Sequence, residues 1–378
     1  MKKQTRLILS LLLLFSIVFF SCNTKEKKKS SITEKRKKLS SNKILEITKR
    51  VADYQLRNPH DTLIGDWVQG PFINSLMALG KLSNCQKYID STQQIGIREN
   101  WEVISTQHYA NDHCTPQSWI ELYELKKDKK MITKIQHVLD ENMATVFKLD
   151  DDVRFKRKNF AKWSWCDALY MSPPTYARLA KVTGDKKYLN FLNEWWWKVS
   201  DFYYDKEEQL YFIDETFVTK KQANVKKVFW SRGNGWVIGG LVRVLEYLPK
   251  DDPFRPKYEK QLAEMCSTMK DIQGLENLWH SGLLDNQAHP QSETSGSAFI
   301  LYGLAYAINN NIIDRDTYYP VVVKGWTALC KYVSKEGYFS GIQPIGDKPK
   351  EFNKNNSIPY GGCAFILACT EIDKLMFT

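Results

Sequence analysis

Six times along this chain a cluster of polar and aromatic residues stands directly before an apolar stretch of helical period. The clusters are Asp66-Trp67 with Gln69-Gly70, Asp112-His113-Cys114, Trp165-Cys166-Asp167, Trp230-Ser-Arg-Gly-Asn-Gly-Trp236, Glu293-Thr-Ser-Gly296 and Pro359-Tyr-Gly-Gly362. Apolar residues recur at three- and four-residue steps in 44–57, 71–82, 116–126, 129–146, 173–182, 186–203, 236–248, 257–273, 296–308 and 316–333. The stretches after the clusters are rich in Gly, Ala and Ser, which suits close packing. Those between them, such as 127–143 and 258–270, are more charged and amphipathic. Residues 45–54, ahead of the first cluster, complete six outer-type helices to match six inner-type ones. A repeat of roughly 45–70 residues belongs to a toroid rather than to a superhelical stack. The pattern therefore predicts an all-α (α/α)6 barrel, six helical hairpins closed in a ring. Strand signals are confined to 208–214 and 337–340, as short extended stretches in loops.

In a closed ring the clusters share one end of the inner helices and converge on one mouth. Helix N-termini there offer unpaired N–H groups and positive dipole ends, which favour an anionic ligand. Asp167 stands in apolar, aromatic company. Burial raises a carboxyl pKa, and a carboxyl that keeps its proton near neutral pH can act as a general acid. The tryptophans around it, Trp163 among them, are flat enough to receive the C–H faces of a sugar ring. The plainer alternative is an aspartate capping a helix start. Asp112 is placed at the same mouth, and two carboxylates flanking a sugar are ordinary glycosidase equipment. Its alternative is an N-cap before Cys114-Thr-Pro with His113 exposed. In the fourth cluster Arg232 offers a donor fork suited to a carboxylate, Gly233 and Gly235 flank Asn234 and permit close backbone approach, and Trp230 and Trp236 offer stacking faces. A tight turn with packed tryptophans is the competing reading. Glu293 and Thr294 combine a helix cap with contact to sugar.

Other chemistries lack their motifs. No GKS, GKT or GxGxxG phosphate loop and no GxSxG elbow occurs. His280 and His289 have no metal-ligand spacing to any other His or Cys, so no metal and no cofactor are expected. Of eight cysteines, the seven beyond Cys22 are scattered and predict neither a disulfide framework nor a metal site. The Trp195-Trp-Trp197 run falls in an outer-type helix and reads as packing.

The first 21 residues have a basic head, an apolar run from Leu7 to Phe20 and Ser21 before Cys22, the form of a signal peptide followed by a lipoprotein box. Cys22 would carry the lipid, anchoring the protein in a bacterial cell envelope. Residues 22–43 form a polar basic tether, and 44–378 the catalytic domain. Residues 23–43 hold nine Lys/Arg and two Glu, so most of the net charge of +11 sits outside the domain. That distribution argues against nucleic-acid binding, which needs a basic stripe on the folded surface.

In their order, Asp66-Trp67…Gly70, Asp112-His113, Trp165-Cys-Asp167, Trp230-Ser-Arg-Gly-Asn-Gly-Trp236 and Glu293-Thr-Ser-Gly resemble glycoside hydrolase family 105, the unsaturated rhamnogalacturonyl hydrolases, akin to the family 88 unsaturated glucuronyl hydrolases. The resemblance spans nearly all of 44–375. It implies an (α/α)6 barrel and a lyase-generated oligosaccharide substrate with a 4,5-unsaturated uronic acid at its non-reducing end. It implies hydration of that double bond, with Asp167 as general acid/base and Asp112 positioning the uronate or shaping the charge near Asp167. Trp67, Gln69, His113, Trp163, Trp230, Arg232, Asn234, Trp236, Glu293 and Thr294 become substrate-binding candidates, with Arg232 and Trp236 holding the uronate end. Members acting on pectic fragments tend to carry a histidine in the loop after the third hairpin. Here that loop reads Leu210-Tyr-Phe-Ile-Asp-Glu215, which widens the neighbouring sugar to ulvan-derived or other unsaturated glucuronyl-rhamnose types. The rival readings are another toroid enzyme, a polysaccharide lyase or sugar epimerase, and a non-catalytic glycan-binding lipoprotein.

Overall fold

The computed structural model describes residues 42–62, 65–104, 109–146, 152–154 and 162–377. The leader, Cys22 and all but the end of the tether lie outside the described residues. Helix α1 spans residues 42–57, so the last two residues assigned to the tether begin the domain. Inner helices follow at α2 (Gly70–Ser83), α4 (Pro116–Lys126), α6 with α7 (Ala168–Met171 and Pro173–Thr183), α9 (Ser231–Leu245), α11 (Thr294–Asn309) and α13 (Pro359–Phe377). Between them run the outer helices α3 (Gln86–Arg98), α5 (Lys130–Val146), α8 (Lys187–Tyr203), α10 (Arg255–Asp271) and α12 (Arg315–Leu329), with α1 as the sixth. Each inner helix packs on the next, and α13 packs back on α2, which closes the ring.

The two helix types differ as their sequences require. Every residue of α9 is buried, and α11 is buried from Thr294 to Ile308. Outer α5 buries a stripe, Met131, Ile135, Leu139 and Met143 among it, at helical spacing. Small residues set the close approaches. A Cβ on Gly240 would stand 2.2 Å from the Leu169 carbonyl oxygen, so α9 touches α6 backbone to backbone. Trp195, Trp196 and Trp197 are buried in α8, and Trp196 Nε1 donates to Gln261 of α10, as packing residues do.

Two local expectations shift. The sequence pattern starts the fourth inner helix near residue 236, but α9 begins at Ser231, so the Arg-Gly-Asn-Gly-Trp segment is helical rather than a turn. Residues 86–98 form a helix that the periodicity alone does not mark, with only Tyr88, Thr92 and Gly96 buried. The extended stretch predicted at 208–214 contains β2 (Leu210–Tyr211), paired antiparallel with β1 (Tyr204–Asp205).

Candidate active site

Three of the six clusters, and the residues just before another, reach a common cavity of about 450 Å³ at the N-terminal ends of the inner helices. Trp67 comes from the first, Trp165 and Asp167 from the third, and Trp230 from the fourth, while Tyr109 and Asn111 directly precede the second. Ile213 and Asp214, from the loop after β2, and the segment Ile345–Gly346–Asp347 complete much of the wall. The other two clusters act behind that segment. Glu293 caps α11, accepting from Ser295 N–H at 3.2 Å and Gly296 N–H at 2.6 Å, and also receives the Gln343 N–H at 3.0 Å. Tyr360 donates its hydroxyl to the Gln343 carbonyl at 2.8 Å and stacks on Trp67 at 5.8 Å.

Asp167 precedes α6 but makes no capping bond to it. Its Oδ1 instead receives the Cys166 thiol at 3.1 Å, and burial keeps that thiol protonated. Burial pushes the Asp167 carboxyl up to about 6; the Cys166 bond and the Arg232 charge oppose this, and the Asp214 charge adds to it. Gly233 is what lets α9 come so near, since a Cβ there would stand 2.8 Å from Cys166 Sγ and 3.6 Å from Asp167 Oδ1. Tyr109 stacks on Trp165 at 5.3 Å. Its hydroxyl is pushed up to about 12 by burial and by the charges of Asp167 and Asp112, so it is a proton donor at any working pH. Asn111 is buried on the cavity wall, and its Oδ1 has no hydrogen-bond partner among the described residues, an acceptor placed for a ligand hydroxyl.

Several sequence candidates are placed elsewhere than expected. Asp112 is buried in the short 3-10 turn Ala110–His113, and Asn111 rather than Asp112 lines the cavity. His113 is fully buried, bonded through Nδ1 to Ser172 Oγ at 2.7 Å and set edge-on to Tyr176, which ties the second hairpin to the third. Trp163 packs on Tyr176 and Phe191, so Trp165 is the tryptophan of that motif that faces the cavity. Trp236 is enclosed by Tyr170, Phe299 and Tyr360. Asn234 clamps the Tyr211 backbone, accepting its N–H at 2.8 Å and donating to its carbonyl at 3.0 Å. Gln69 is spent on the carbonyls of His60 and Thr62, and Thr294 on that of Ser340. Arg232 is buried, and its guanidinium lies 4.3 Å over the Trp230 ring. It donates to the carbonyls of Gln343, Pro344 and Gly346 and to Tyr360. It therefore acts as a strut for the 343–346 segment and a charge near Asp167, not as a free fork in the cavity.

Sequence reasoning missed Tyr109, Asn111, Ile213 and the 345–347 segment as wall. Tyr109 and Asn111 adjoin a motif that was noticed. Residues 345–347 carry no local signal and are brought in by contacts more than 100 positions away along the chain.

A helical toroid with a carboxyl of raised pKa in an aromatic cavity at one mouth defines a carbohydrate-cleaving enzyme of the (α/α)6 class. The chain matches the model of Glycosyl Hydrolase Family 88 over residues 40–376 and belongs to that family; it is a glycosidase. It is 32 % identical over 325 residues to the unsaturated 3S-rhamnoglycuronyl hydrolase of Formosa agariphila, covering 82 % of this chain and 85 % of that protein. Among solved structures it is similar to a family 88 glycosyl hydrolase from Bacteroides vulgatus, with a TM-score of 0.80, 26 % identity and 89 % and 99 % of the two chains covered. A structure described as a polysaccharide lyase has the same TM-score of 0.80 at 29 % identity, with 90 % and 99 % covered.

Proposed function

We propose that this glycosidase releases a 4,5-unsaturated uronic acid from the non-reducing end of lyase-generated oligosaccharides, with rhamnose as the neighbouring sugar. The observation that carries this reading is Asp167, a cavity-wall carboxyl that caps nothing and is held near a pKa of about 6. Such a group can protonate an enol ether and then, as carboxylate, take a proton back. Asp167 gives its proton to C4. The cation this leaves at C5, shared with the ring oxygen, is attacked by water, whose surplus proton returns to Asp167. The C5 hemiketal opens by breaking its bond to the ring oxygen, and the C1 hemiacetal so formed collapses to an aldehyde and expels the neighbouring sugar. Because attack is at C5, the carboxylate spacing that separates retaining from inverting glycosidases does not apply.

Trp67 and Trp165 supply stacking faces, Trp230 backs the wall beneath Arg232, and Tyr109 and Asn111 supply a donor and an acceptor for the sugar. Asp112 acts through its charge at Tyr109 rather than by contact. The names of the curated relatives support rhamnose beside the uronate. The test is absorbance near 235 nm, where the unsaturated uronate absorbs, with unsaturated disaccharides from pectin, ulvan and glycosaminoglycans. Consumption of the signal by the wild type, reduced about 10³-fold or more in Asp167→Asn, is expected. A rise in absorbance on an intact polysaccharide would instead establish a lyase. The leader and Cys22 support a lipid-anchored envelope protein, a reading that fails if Cys22→Ser leaves the protein in the membrane fraction.

A further inference from the structure

We infer that Asp214 is a positioning residue for this reaction: its carboxylate, tethered beside Asp167 on the cavity wall, reinforces burial in keeping the acid ready to donate. This rests on the function proposed above and adds a third carboxylate to the Asp112–Asp167 pair.

The geometry comes from three attachments. The Cys166 N–H donates to the Ile213 carbonyl at 2.9 Å, so the segment bearing Asp167 and the segment bearing Asp214 are bonded one residue before each carboxylate. Asn234 of α9 grips both backbone groups of Tyr211, which removes the freedom of the loop between β2 and Asp214. Asp214 Oδ1 accepts the Thr216 N–H at 2.8 Å, fixing the side chain at the start of a short 3-10 turn. Both carboxylates line the same cavity.

Asp167 is faced by charged and titratable groups from every element around it. Cys166 is on its own segment, Tyr109 stands just before the 3-10 turn that carries Asp112, Arg232 is on α9, Tyr360 on α13, and Asp347 is on the cavity wall. Cys166 and Arg232 favour the ionised acid, and Asp214 is the carboxylate whose charge opposes them. A like charge disfavours ionisation of its neighbour.

The experiment uses Asp214→Asn. The amide oxygen still accepts from Thr216, so the turn is kept while the charge is removed. Two quantities are followed against pH: kcat/KM from loss of absorbance, and the ionisation midpoint of Asp167 by carboxyl carbon-13 NMR of the free enzyme. Removing the neighbouring negative charge makes ionisation of Asp167 easier, so it loses its proton at lower pH. The alkaline limb and the NMR midpoint should both fall by about 0.5–1 pH unit, and Asp214→Glu should leave both near wild type. Should the amide variant not fold, Asp214→Ser, whose hydroxyl can also cap the turn, repeats the comparison. A lowered plateau with an unmoved midpoint would reduce Asp214 to a loop cap and overturn the inference. A midpoint that moves in a protein inactive on every unsaturated disaccharide would sink the proposed function while leaving the electrostatic coupling intact.

Discussion

Two carboxylates, Asp167 half-buried on the cavity wall and Glu121 fully buried on an inner helix, are pushed in opposite directions. At the mouth, Asp167 has a thiol for its hydrogen-bond partner and another carboxylate close by, and burial prevails. Toward the C-terminal ends of the inner helices, Glu121 meets Arg178 at 2.9 Å, Arg243 at 3.3 Å and Lys81 at 2.7 Å. Burial alone would raise the Glu121 carboxyl, but the three cations outweigh it and hold it far below the usual carboxylate range. Arg243 also donates to Gln117, and Arg178 to the Arg243 carbonyl, so the cluster ties α4, α7 and α9 together. What separates a structural carboxylate from a reactive one in this barrel is therefore the supply of cations, not depth of burial.

The largest effect that would break this contrast is expected at Glu121. Glu121→Gln leaves Arg178 and Arg243 facing a neutral amide in a buried site, with Lys81 at its exposed edge. A loss of about 3–5 kcal/mol in unfolding free energy is expected, measured by denaturant titration, because the penalty is that of stranded charge. A loss below about 1 kcal/mol would show that water enters the cluster.

At Asp167 the sign reverses. Its carboxyl has an ordinary value of 3.8 and sits at about 6 in the folded protein. The folded state thus favours the protonated form; that advantage is complete below the ordinary value and is lost as pH rises through 6. Above that, the ionised group is a burden on the fold, at most about 3 kcal/mol and nearer 1–2 after solvent access from the cavity is allowed for. Asp167→Asn should therefore be more stable than wild type at pH 8, with the gap closing below pH 4, although it is inactive. Equal stabilities at both pH values would mean that the acid is not held against its preference.

The smallest effect tests Arg232, the cation that acts on Asp167 among the described residues. Arg232→Gln removes a charge that favours the ionised acid, so the alkaline limb of kcat/KM should rise by about 0.5–1 pH unit, opposite to the change at Asp214. An increase in KM with no movement of the limb would return Arg232 to the role of uronate clamp.

Much of this is legible in the local sequence. Glu293 is legible as a cap because its bonds to Ser295 and Gly296 lie within one turn of its own chain. Asp167 is legible because its tryptophan and cysteine neighbours are adjacent to it. For His113 and Trp163, nothing local distinguishes a cavity face from the face toward Tyr176, on which both pack. Arg232 was misread because the carbonyls that occupy its donors come from residues 343–346.

Local sequence settles the alternation of inner and outer helices, α3 apart, and the six clusters at one end, because helical period and capping are properties of neighbouring residues. It also determined which carboxylate stands in apolar company. Only the tertiary structure decided which members of each cluster face the cavity, that the 345–347 segment closes it, and that Asp214 rather than Asp112 shares its wall with Asp167. The reason is geometric: a side chain's direction is fixed once the ring has closed and α9 has settled against α6, through contacts between residues far apart in the chain.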